Sequence, residues 1–177
     1  MLETNEEFDI EFDAELTMDD LLTYAKSFSG LQAEDEACLK NIAPLVTPHL
    51  TEITDSFYTN LNNIPEAAFF IKGREEKLKI THLNWLTSLF TRNIDINFVT
   101  AMYKTGDTHV KVHLPIEFMV GAITLMNNDL IKLMFKLFPD NPQQCMNAIK
   151  AINAVTGLSL MLMLYSFHVL TNVAADS

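Results

Sequence analysis

Residues 104–115 read KTGDTHVKVHLP, and this short stretch decides how the rest is understood. It holds two of the five histidines, His109 and His113, spaced one helical turn apart. Gly106 lies three residues before the first, where it is expected to end a helix; Pro115 opens the next helix. Three readings fit the pair. Both are ordinary packing or surface residues. Or they grip zinc together, which demands further ligands, and Asp107 is the one acid nearby. Or one imidazole is the axial ligand of a haem, which needs a single ring nitrogen on iron and apolar walls for the porphyrin.

On both sides of that stretch the chain reads as helix. Thr17 and Asp20 form a capping pair ahead of LLTYAKSF, and Ser29-Gly30 stops that helix. AEDEACLKNIAPL begins with acids, which the helix dipole favours, and Pro44 and Pro48 are expected to break it. Leu50, Ile53, Phe57 and Leu61 recur at intervals of three and four, the stripe of an amphipathic helix. AAFFI, REEKLKITHLNWLTSLF and INFVTAMYK follow, the last capped by Asp95. The two longest helices, 116–138 and 143–173, are joined by PDNP and should pair antiparallel. Seven or eight helices with short connections and scarce strand signals make an all-α domain over residues 17–177. Apolar residues on the last two helices exceed one stripe each, the pattern of a dimer interface.

Composition narrows the function. Hydrophobic residues make up 49% of the 177, a surplus that points to a cofactor or a partner. The net charge of −11 is concentrated at one end. Nine of the 23 acids fall in residues 1–20, so residues 1–16 read as an acidic, flexible leader. Residues 21–177 set 14 acids against 12 bases, which leaves no basic patch for nucleic acid. The leader has the wrong charge for a signal or transit peptide. Cys38 and Cys145 form no CxxC, as in a reduced cytoplasmic chain. Residues 155–175 are apolar over nearly a membrane's thickness, yet Ser159, Ser166, His168 and Asn172 interrupt them, and no Lys or Arg follows. They read as a helix buried within protein.

The stretch from Ser27 through SFSGLQAEDEACLKNIAPLVTPHLTEITDSFYTNLNNIPE resembles the opening of the globin domain in globin-coupled sensors and protoglobins. HLNWLTSLF and TGDTHVKVHLPIEFMVGA resemble the same family's later signature, in which a histidine is followed by an aromatic pair and Gly-Ala. The resemblance covers about residues 18–170. It implies a globin variant with an extra N-terminal helix and a curtailed fourth helix.

Carried over position by position, the resemblance implies haem b with His109 as its proximal iron ligand. Tyr58, of the pair Phe57-Tyr58, faces the gas side, where a phenol O–H stabilises the partial negative charge of bound dioxygen more than carbon monoxide. Leu78 is the apolar gate, and Thr81 offers a second hydrogen bond. His82 is unusual for the family. It is expected to turn away and satisfy a backbone group, with ligation of iron as the alternative. Phe69 is the expected aromatic wall, with Phe70 as alternate, and Trp85 is expected in the core. Two positions depart from the family. His113 replaces its usual glycine, and Met119 replaces a tyrosine whose hydroxyl reports gas binding in some relatives; methionine cannot donate that bond.

No nucleophile–base triad, paired carboxylates or phosphate loop appear in the sequence. The expected function is therefore a haem-based gas sensor domain, not an enzyme. It takes dioxygen first, with carbon monoxide and nitric oxide as further ligands. It signals through dimer helices to a fused or separate output module. Three alternatives remain at this stage. They are a free-standing haem globin that removes nitric oxide or reactive oxygen, a haem-free globin-fold interaction module, and a zinc site at His109 and His113.

Overall fold

In the computed structural model residues 16–175 are described, with side chains through 169. All but one residue of the acidic leader expected at 1–16 lies outside them. Eight α-helices run through the described residues, with no strand: α1 Met18–Ser29, α2 Ala33–Val46, α3 Leu50–Asn62, α4 Pro65–Ile71, α5 Glu75–Thr91, α6 Ile96–Lys111, α7 Ile116–Leu137 and α8 Pro142–Ala175. A 3-10 turn at Thr47–His49 links α2 to α3.

The local signals act as their chemistry dictates. Thr17 and Asp20 close a reciprocal capping box at α1. Gly30 ends that helix at φ +67, a backbone shape that glycine adopts freely. Asp95 caps α6 by accepting from the Phe98 N–H at 3.1 Å. Two stop signals misfire. Pro44 sits inside α2, two residues before its end, and takes one N–H out of the ladder without stopping the helix. Gly106 does not end α6, which continues to Lys111. It is buried where α6 crosses α8, and a Cβ there would overlap the Met163 carbonyl and the Ser166 hydroxyl. The glycine is needed for a close approach between helices, not for a turn.

The core is organised around α8, which packs against α1, α2, α6 and α7. Ala148, Ala151, Val155 and Leu158 are fully covered on it. Small side chains there let four helices converge, and each fully buried Leu contributes about 2 kcal/mol. Lys150 of α8 reaches the buried carboxylate of Asp35 on α2 at 3.0 Å. Both α7 and α8 are long and apolar enough to cross a membrane. The apolar window of α8 is 56% buried inside the protein, as in a central core helix. For α7 the figure is 28%, and Ile116, Val120 and Phe135 stand exposed on it.

Candidate functional site

Two walls carry the residues singled out in the sequence. The first is α6 with its end. His109 is half-buried on it, with Nδ1 2.7 Å from the Thr105 carbonyl oxygen. A carbonyl only accepts, so Nδ1 carries the proton and donates. The lone pair is left on Nε2, which has no hydrogen-bond partner among the described residues. Burial lowers the affinity of this ring for a second proton, opposed by the Thr105 hydrogen bond. A neutral imidazole oriented through its other nitrogen is the form in which histidine binds a metal.

His113 takes no part in that arrangement. It lies beyond the end of α6, exposed, at φ +55, and its N–H donates to the Val110 carbonyl at 2.9 Å. This left-handed position is one that glycine fills without strain, in keeping with the glycine that the resemblance implies there. Among the described residues no group of three or more His, Cys, Asp or Glu could hold a metal ion, so zinc finds no ligand set at the pair.

The second wall is α3 with α5. Tyr58 is only 5% exposed, and its hydroxyl makes no hydrogen bond among the described residues. Burial, aided by the negative charge of Glu75 and opposed by Lys79, pushes the phenol up to about 12. The group is therefore protonated and available as a donor at physiological pH. Its edge meets the rings of Phe57 at 5.3 Å and His82 at 5.8 Å. His82 stacks on Phe57, centroids 4.5 Å apart and planes within 3°. Its Nδ1 lies 3.2 Å from Thr54 Oγ1, so it is tied to a side-chain hydroxyl and not to the backbone group expected for it. Burial depresses its pKa to about 4, which keeps the ring neutral. Lys79 of α5 holds Asp55 at 3.0 Å and Glu75 at 3.3 Å, fastening α5 beside α3.

The remaining expected residues divide. Leu78 is half-buried and packs against the core, and Met119 is 4% exposed. Thr81 is exposed, and its hydroxyl donates back to the Lys77 carbonyl at 3.2 Å. Phe69 is 77% exposed, while Phe70 is the half-buried ring of the pair, edge-on to Phe118 of α7 at 5.8 Å. On burial, Phe70 is the better aromatic wall of the two. Trp85 lies in the core margin as expected and donates its indole N–H to Met102 Sδ at 3.1 Å.

That indole–sulfur contact joins α5 to α6, whose extensive packing partners are otherwise different helices: α2 and α3 for α5, α1 and α8 for α6. The donor chemistry fits a haem. One wall offers a neutral imidazole with a bare Nε2, the other a buried, unpaired phenol, and apolar half-buried side chains (Phe70, Leu78, Phe118) stand on neighbouring helices. Sequence reading missed Thr54, Thr105 and Met163. Thr105 follows a visible rule, since its backbone carbonyl lies one helical turn before His109, whereas Thr54 is 28 residues from its histidine. Thr54 and Met163 carry no such signal.

Comparison with known proteins bears on the family and the fold. The family model described as Protoglobin matches residues 18–168. Among solved structures the chain is similar to the globin domain of the Geobacter sulfurreducens globin-coupled sensor, at 28% identity and a TM-score of 0.77, covering 86% of this chain and 99% of that one. It is also similar to the globin domain of E. coli DosC in its ferric form, at 15% identity and a TM-score of 0.66, with 84% and 97% covered. The ferrous form of DosC matches at a TM-score of 0.63. The DosC likeness concerns the fold.

Proposed function

The chain belongs to the protoglobin family, and from that premise we propose that it is a haem-based gas sensor domain with dioxygen as its principal ligand. The observation that carries the reading is the pairing of a bare Nε2 on His109 with the unpaired phenol of Tyr58. When bound, haem b supplies a ferrous iron able to take up diatomic gases. His109 would hold it, oriented by the Thr105 carbonyl. Tyr58 would donate a hydrogen bond on the gas side, favouring dioxygen over carbon monoxide because dioxygen draws more negative charge. Leu78, Phe70 and Phe118 would supply apolar cover.

The same reading covers output. Met119 cannot donate the hydrogen bond available to a tyrosine, so signalling through that position is closed here. The backbone contact between Gly106 and Met163 supports another route, because it couples the helix bearing His109 directly to α8. The uncovered apolar side of α7 supports a homodimer in which α7 and α8 meet their copies, and through which a bound gas biases an output partner. The chain acts by binding and not by catalysis in this reading. The test is an absorption spectrum of the purified protein, ferric, ferrous, and ferrous under oxygen. A Soret band that shifts reversibly with oxygen is expected; a protein with no Soret band when supplied with haem would sink the proposal.

A further inference from the structure

We infer that Thr54 fixes the ring proton of His82 on Nε2, and so makes His82 a second hydrogen-bond donor of the gas pocket beside Tyr58, not a ligand of iron. The gas-side role rests on the haem reading above; the position of the proton does not.

The argument begins with a hydroxyl. Among the described α-helical threonines that are at least half-buried, Thr87, Thr100, Thr105 and Thr156 donate to the carbonyl four residues back, at 2.7–2.9 Å. Thr54, at 3% exposure, does not. Its one hydrogen bond is with His82 Nδ1. If Nδ1 carried the proton, Thr54 Oγ1 would accept it, and in the rotamer it adopts, which makes no bond to the Leu50 carbonyl, the threonine's own O–H would be buried with nothing to donate to. Leaving a buried donor unmade is enough to bias the ring tautomer by about tenfold or more. With Nδ1 bare, the hydroxyl donates to it and both groups are satisfied. The proton then sits on Nε2, which has no other partner among the described residues.

The contrast with His109 is in the partner. There Nδ1 meets a backbone carbonyl, which can only accept, so Nε2 is bare. At His82 Nδ1 meets a hydroxyl with a proton to give, so Nε2 is the donor. A protonated Nε2 has no lone pair for iron. For His82 to ligate, its proton must move to Nδ1 and the Thr54 hydroxyl must turn to the Leu50 carbonyl. Thr54 is thus a positioning residue, and its partner's ring is kept in place by the stack on Phe57 and the edge of Tyr58.

Two measurements test this. Long-range proton–nitrogen correlation of the histidine rings in the native, ferrous carbon monoxide form should show His82 protonated on Nε2. Ferrous spectra should show native protein five-coordinate, and Thr54→Val with a six-coordinate fraction that a further His82→Leu removes; Thr54→Ser, which keeps the hydroxyl, should stay native. His82→Leu alone should speed oxygen release about tenfold while changing carbon monoxide release far less, as expected for loss of one donor to a partly charged acceptor. His82 protonated on Nδ1, or a six-coordinate native ferrous state that His82→Leu abolishes, would overturn the inference. Absence of any Soret band would remove the haem reading and the gas-side role, and the ring spectrum of the haem-free protein would still decide the tautomer.

Discussion

The two walls of the site each carry a histidine, one on α6 and one on α5, and they are built in different ways. On α6 the ring is steered by its own helix: the Thr105 carbonyl is one turn back, and Gly106 seats that turn on α8 without any side chain between. On α5 the ring is steered by a neighbour: Thr54, Phe57 and Tyr58 all belong to α3. The first is a rigid local mount, suited to holding a weight. The second is assembled from packing and a rotatable hydroxyl, suited to tuning. The lesson is that a histidine's role follows from what its Nδ1 touches more than from its type or burial.

Breaking the rigid mount should have the largest effect. His109→Ala should lose haem or leave it easily extracted, measured by the haem-to-protein absorbance ratio after transfer to apomyoglobin; undiminished retention would move the ligand elsewhere. Next is Gly106→Ala. A methyl cannot be accommodated against the Met163 backbone, so a loss of about 3 kcal/mol is expected in urea unfolding, at the upper end for overpacking.

The tuned wall should respond more mildly. His82 has a folded pKa depressed from 6.5 to about 4, so its contribution is fully present above the unfolded value and lost as pH falls from 6.5 toward 4. With allowance for its partial exposure this amounts to about 2 kcal/mol, and His82→Phe should flatten the stability slope in that window. Tyr58→Phe should speed oxygen release about tenfold and carbon monoxide release by much less, by stopped-flow displacement. Equal effects on both gases would remove the hydrogen-bond account. The smallest change expected lies outside both walls. His113→Gly should stabilise the protein by about 1 kcal/mol, since φ +55 strains any residue with a Cβ.

What could be read from sequence divides along the same line as the walls. Thr17 with Asp20, Gly30 and Asp95 were legible because a cap and its partner lie within a few residues. His109 and Tyr58 stand out through a resemblance, and the spacing alone leaves packing, zinc and haem all open. Gly106 was misread as a stop because its reason, the Met163 carbonyl, lies on a distant helix. The partner of His82 was invisible for the same reason, being 28 residues away on α3. Which of Phe69 and Phe70 turns inward depends on how the seven residues of α4 are rotated, and adjacent identical side chains carry no sign of that.

Trp85 is the chain's one tryptophan, and it stands where α5 touches α6. Its emission is therefore a built-in gauge of whatever enters between those helices. A porphyrin lodged nearby would quench it by energy transfer, so the light given off under ultraviolet excitation should fall as haem is added and recover as it is withdrawn, with no label attached to the molecule.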